Sequence, residues 1–197
     1  MRLSRLRARV GCARGQALVE FSFDLPRISL LALGVVELSY ALLDEHMVTK
    51  LSREGSNLIS RNATLSDAVT ALKGMSAAPV DFTTRSSVIL SVLKRVSAIG
   101  FPNDGKDIVY QRYQYGALQV SSALKTKGAG SFGGAPEFWA ANANTDTNLQ
   151  LTNLPANLDV SGGALYVTEI FTTHSTLTPL DKFGISVPST LYSIAYF

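Results

Sequence analysis

The sequence predicts an α+β fold: a long N-terminal helix, first transmembrane and then a stalk, followed by a small antiparallel β-sheet domain. Three observations carry this expectation. An apolar stretch follows a basic N-terminus, a proline-free amphipathic segment extends it, and four short runs rich in β-branched and aromatic residues fill much of the remainder. With 197 residues, 46% hydrophobic and 17% charged, the chain is too apolar for disorder and fits one anchored domain.

Residues 1–15 read as a basic leader. Arg2, Arg5, Arg7, Arg9 and Arg14 lie there without an acid, so their removal takes the formal charge from +3 to −2. The positive charge is a tail and not a patch, which argues against a nucleic-acid partner. The only cysteine, Cys12, precedes Gly15 as well, so a chain cut there has no disulfide or thiolate metal site. Val10-Gly11-Cys12 faintly resembles a lipoprotein box but lacks the apolar region that must precede it.

Residues 16–43 (QALVEFSFDLPRISLLALGVVELSYALL) are long enough to cross a bilayer core of about 30 Å. Glu20, Asp24, Arg27 and Glu37 interrupt them. Asp24 and Arg27 are spaced to neutralise each other on one helix face. Glu37 lies about 32 Å along the helix from Gln16, near the far interface. Pro26 removes one backbone donor, which neighbouring helices in a membrane can compensate. The arginines place the N-terminus in the cytoplasm and the remainder outside. A secretory signal peptide cut near Ser39-Tyr40-Ala41 stays open as an alternative.

Glu20 poses the sharpest question. A carboxylate in that segment costs about 2.5–3.5 kcal/mol on insertion scales and needs a partner. Cleavage after Gly15 would place the new α-amino group of Gln16 about one helical turn from Glu20. Cutting supplies the missing cation.

Residues 44–61 continue the helix as a stalk, with Met47, Leu51 and Leu58 near one face and Gly55 and Asn57 weakening it. The exported α+β region, 62–197, begins with a short helix starting near Ser66-Asp67 and ending by Gly74, before Ala77-Ala78-Pro79. Ser86 to Val96 and Asp107 to Tyr115 form a hairpin about Pro102-Asn103-Asp104-Gly105. Residues 126–163, rich in Gly, Asn, Thr and Pro, are an irregular loop. Ala164 to Thr173 and Thr190 to Phe197 complete the sheet.

The stretch Arg14-Gly15-Gln16-Ala17-Leu18-Val19-Glu20-Phe21, with Leu25-Pro26 and Leu33-Gly34-Val35-Val36-Glu37-Leu38, resembles the N-terminus of TadE/TadF-like proteins. These are minor pseudopilins of Tad (Flp) pilus systems, related to type IV pili. The likeness is most specific over residues 14–43. It continues loosely at Val109-Tyr110-Gln111-Arg112 and Val167-Thr168-Glu169-Ile170-Phe171. It implies that a prepilin peptidase cuts between Gly15 and Gln16, leaving Glu20 as the fifth mature residue and Phe21 as the aromatic after it. It further implies a pseudopilin-like subunit of the inner membrane that initiates or caps a pilus. Its partners would be the peptidase, other pilins and pseudopilins, the inner-membrane assembly platform and membrane lipid, with no cofactor. Asp24, Arg27 and Ser29 depart from the family's aliphatic pattern.

Other motifs are weaker. Gly128-Ala129-Gly130-Ser131-Phe132-Gly133 matches a dinucleotide pattern, but Gly134-Ala135-Pro136 follows it without a helix signal, so a flexible loop is expected. His46 and His174 lack companions at ligand spacing, and no metal is expected. Asn62-Ala63-Thr64 matches a glycosylation acceptor. Glu169 is expected to face solvent from the sheet, or alternatively to pair with a basic residue of a neighbouring subunit. Phe138-Trp139 is either packing against the sheet or an exposed recognition patch. An alternative function is therefore a membrane-anchored binding module or pilus-tip adhesin using loop 126–163. An exported enzyme has no catalytic constellation to support it.

Overall fold

In the computed structural model, the structure describes residues 8–158, 160, 163–178, 182, 184 and 189–197. The first seven residues of the basic leader lie outside them. Helix α1 runs from Ala8 to Ser60, 53 residues or about 80 Å. It passes unbroken through Gly15, the apolar segment and the stalk, with Pro26 inside it. Gly15–Ser60 contains an 18-residue window of mean hydropathy 1.5, of which only 6% is buried. By length and composition this helix can cross a membrane. The chain divides into two compact units, Met1–Leu42 with Ser175–Val187, and Leu43–His174 with Pro188–Phe197.

The larger unit is built on four antiparallel strands: β1 (Ser86–Arg95), β2 (Asp107–Gly116), β3 (Ala164–Thr173) and β4 (Thr190–Tyr196). Their order is β2-β1-β3-β4. The β1–β2 hairpin forms where the turn residues indicate. The long connection after β2 then returns the chain to the other side of β1. An α+β fold with a long apolar N-terminal helix and an antiparallel sheet is therefore present.

Strand alternation divides the side chains between two covered faces. Val88, Leu90, Val92 and Ile170 pack with Val48, Leu51 and Ile59 of α1 and with Leu65, Ala68, Val69 and Leu72 of the second helix. On the opposite face Leu93, Val109 and Val167 meet Leu124 and Val160, from the β2–β3 connection. That connection is thus partly structural. Its residues 138–140 and 151 also close the outer edge of β2: Arg112 N donates to Phe138 O, Ala140 N to Tyr110 O and Leu151 N to Asp107 O.

Helix α2 (Leu65–Met75) begins one residue before the expected Ser66-Asp67. Thr64 is the cap: its Oγ1 accepts from Asp67 N at 3.1 Å and donates to Asp67 Oδ2 at 2.8 Å. This reciprocal pair satisfies a free helix-end donor and sets a carboxylate in the first turn, where the helix dipole favours it.

Of the expected Met47, Leu51 and Leu58, Leu51 is buried, Leu58 packs partly against the core and Met47 lies beside the stalk's buried face. Its stripe is Val48, Leu51, Ser52, Gly55, Ser56 and Ile59, repeating at helical spacing. The small residues in its middle permit close approach to the sheet. A Cβ on Gly55 would lie 2.7 Å from Thr168 Cγ2 and 3.2 Å from Leu72 Cδ1. Ser52 Oγ meets Ser193 Oγ at 2.9 Å, and Ser56 Oγ donates to Ala195 O at 2.9 Å. Gly55, which weakens the helix locally, is what lets α1 seat on β3 and β4.

Gly55→Val should therefore lower stability by about 1–3 kcal/mol in denaturant titration, because Thr168 is fully buried and short. Thr168→Val should be neutral or stabilising by about 1 kcal/mol, since Thr168 Oγ1 has no hydrogen-bond partner among the described residues. A tolerated Gly55→Val would mean the helix does not sit this close.

Candidate functional site

The first candidate is the apolar part of α1. Leu18, Phe21, Phe23, Ile28 and Leu31 are each more than 60% exposed, a continuous apolar surface that water does not favour. Gly15 and Gln16 lie within the helix, and among the described residues no other side chain comes near a Cβ built on Gly15. Gln16 Nε2 donates to Glu20 Oε1 at 3.0 Å, so position 16 reaches the carboxylate across one turn. Phe21 is exposed beside it. Asp24 and Arg27 do meet, at 3.4 Å, with both side chains largely exposed. In water such a pair contributes little, whereas out of water it matters much more. Ser22, Ser29 and Ser39 donate back to the carbonyls of Val19, Leu25 and Val35, which hides their hydroxyls along the same surface.

Glu37 behaves differently from the other acids of this helix. It is 2% exposed. Its carboxylate accepts from Leu177 N at 3.1 and 3.2 Å, from Thr178 N at 3.0 Å and from Thr178 Oγ1 at 2.8 Å. Consecutive backbone N–H groups therefore wrap the charge within the smaller unit. Hydrogen bonds to a charged acceptor are among the strong ones, and they offset the cost of taking the carboxylate out of water.

In the larger unit, Glu169 corrects the expectation of a solvent-facing acid. It is fully buried. Its position on β3 puts it on the sheet face covered by the β2–β3 connection, so alternation alone does not bring it to solvent. Ser122 Oγ donates to Oε2, Ala123 N donates to Oε1 at 2.7 Å, and Tyr192 OH donates to Oε1 at 3.2 Å. The Arg112 guanidinium lies in its field; burial pulls the Arg112 pKa down and Glu169 opposes that shift. Arg112 also donates to Ser91 Oγ at 3.2 Å. The carboxylate on β3 thus lies within the electrostatic reach of the guanidinium on β2.

Burial first, and then the charge of Glu169, push the Tyr192 and Tyr196 hydroxyls up from their ordinary range. His174 Nδ1 lies 2.8 Å from Asp44 Oδ2, joining the end of β3 to α1. Among the described residues no group of three or more His, Cys, Asp or Glu is placed to hold a metal ion. The glycine stretch 128–133 contacts the sheet's covering layer, since a Cβ on Gly130 would clash with Leu149 Cδ2. Asn62 has φ of 67°, just past the end of α1, and Thr64 of the same triplet is occupied as a helix cap.

Phe138 and Trp139 take opposite roles. Phe138 stacks on Tyr113 at 3.9 Å between ring centroids and packs against the core, whereas Trp139 is 56% exposed. The packing reading thus holds for Phe138, while Trp139 is exposed.

Comparison of the chain with protein-family models, curated proteins and solved structures gives no match. The functional reading therefore rests on the residues themselves.

Glu169→Ala should cost roughly 3 kcal/mol of stability, because it leaves Arg112 beneath the connection without its counter-charge. The tyrosine shifts have the opposite pH sense from a carboxylate pair. A raised phenol contributes stability that is complete below about pH 10 and is lost as pH rises through the raised range. Tyr192→Phe should accordingly remove a component of the tyrosinate absorbance titration that lies above the ordinary tyrosine range, and flatten the alkaline loss of stability. An unchanged titration would contradict the assignment.

Proposed function

We propose that the chain is a membrane-anchored minor pseudopilin of a Tad-type pilus, acting in assembly as an initiating or capping subunit. The observation that carries this reading is the single helix α1. It presents an exposed apolar surface with Glu20 one turn from Gln16, and then continues into a stripe that packs against an antiparallel sheet. An isolated soluble domain gains nothing from the exposed part. A lipid bilayer, or a bundle of like helices, covers it.

In this reading a prepilin peptidase cuts between Gly15 and Gln16. The leader leaves with its five arginines, and the new α-amino group neutralises Glu20 of the same or a neighbouring subunit. The pairing of amine and carboxylate fixes the axial register of one helix against the next. Asp24 and Arg27 neutralise each other in the same environment. The N-terminus lies on the cytoplasmic side and the sheet-bearing part outside, where it meets other pilins and pseudopilins at the assembly platform.

Two substitutions separate the steps. Gly15→Val should leave a longer, uncleaved chain on a denaturing gel. Glu20→Ala should be cleaved normally and yet reduce the number of pili per cell by electron microscopy. Normal piliation in both variants would sink the proposal.

A further inference from the structure

Three irregularities of the larger unit converge on one place. The β1–β2 register shifts after Val92, which pairs with Gln111 while Leu93 pairs with Val109. Tyr110 is therefore an extra residue, a bulge that re-aims its side chain. Phe138 has φ of 52°, uncommon for a residue with a bulky side chain, and turns the chain so that Trp139 faces outward. Trp139 is the only tryptophan of the chain, and it is more than half exposed.

Two hollows flank this ring. One, of about 260 Å³, is lined by Trp139, Tyr110, Tyr166, Lys94, Gln111 and Glu137 among others. The second, of about 370 Å³, shares Trp139 and Tyr110 and extends to Phe101 and the 140–145 turn. Three polar side chains of the first hollow, Gln111, Glu137 and Lys94, are held in place. Gln111 is 8% exposed, and its Nε2 donates at 2.9 Å both to Glu137 O and to Glu137 Oε2. Lys94 Nζ stands 4.2 Å over the Tyr110 ring.

We propose that this cleft binds a neutral saccharide. Aromatic faces offer a flat, electron-rich surface to the C–H face of a pyranose ring, as they do to the edges of other rings. The two charges then select among ligands. Lys94 repels a quaternary ammonium, the other common occupant of an aromatic site. Glu137 repels a carboxylate or phosphate. A hydroxyl-rich, uncharged ring suits both, donating to the Glu137 carboxylate and accepting from the Lys94 ammonium. The site joins aromatic walls to oriented polar groups, as a small-molecule cleft does. It stands independently of the pilus reading, since every residue in it belongs to the sheet-bearing unit.

The full chain in polyoxyethylene ether micelles, which carry no sugar, is titrated with cellotriose, maltotriose and chitotriose, and separately with phosphocholine. Fluorescence of the single tryptophan should change saturably with at least one trisaccharide and not with phosphocholine. By saturation-transfer NMR, Trp139→Ala should weaken that binding about tenfold or more. Glu137→Gln should weaken it less, with thermal melting of both variants unchanged. The proposal is overturned if no trisaccharide binds at millimolar concentration. It is equally overturned if phosphocholine binds in their place, or if Trp139→Ala binds as tightly as the unaltered chain.

Discussion

The fold depends on how closely α1 lies on β3 and β4. Gly55 sits where any side chain would enter the space of Thr168, and Ser52 and Ser56 use their hydroxyls on Ser193 and Ala195 at the same level. This small-residue contact brings Val48, Leu51 and Ile59 down onto the sheet's apolar face. A larger stripe would hold the helix away and open the core to water, at a cost that grows with the void left behind. Helix propensity opposes the arrangement, since glycine is about 1 kcal/mol worse than alanine in a helix interior. Packing overrides it here.

The same helix is subject to a second constraint over its first part. Most of its side chains from Leu18 to Leu31 are exposed, and its acids are handled in three ways. Glu37 is enclosed by backbone donors, Asp24 is paired with Arg27, and Glu20 meets only the amide of Gln16. An amide neutralises no charge. Among the described residues the carboxylate of Glu20 is thus the one of these three without a cation or a set of backbone N–H groups, and in the proposed function processing at Gly15 supplies one.

Much of the architecture was legible in the sequence. β3 begins and ends at the expected residues because Ala164 to Thr173 is almost wholly β-branched, aromatic or small, and a turn signal bounds the β1–β2 hairpin. The start of α2 was placed late because Thr64 and Ser66 are both good caps. Only Thr64 has an acid three residues on, and that is the one used. Glu169 was misplaced for a deeper reason. Period-two alternation says which residues share a face but not whether that face is wet, and the covering comes from residues 117–163, where no periodicity warns of it. The near-continuous apolar run in β1, buried on both sides, was the available hint. The separation of Phe138 from Trp139 was out of reach as well, since it follows from one backbone angle.

In the proposed function one covalent event is central: the chain is cut between Gly15 and Gln16, and its anchor then begins with the amine Glu20 needs. Intact-mass and N-terminal peptide mass spectrometry of the protein from membranes of its own cells tests this most directly. The account predicts a mature chain beginning at Gln16, lacking the mass of residues 1–15. A chain that retains those residues, or one that begins beyond Ala41 as a signal-peptide cut would leave it, would contradict it.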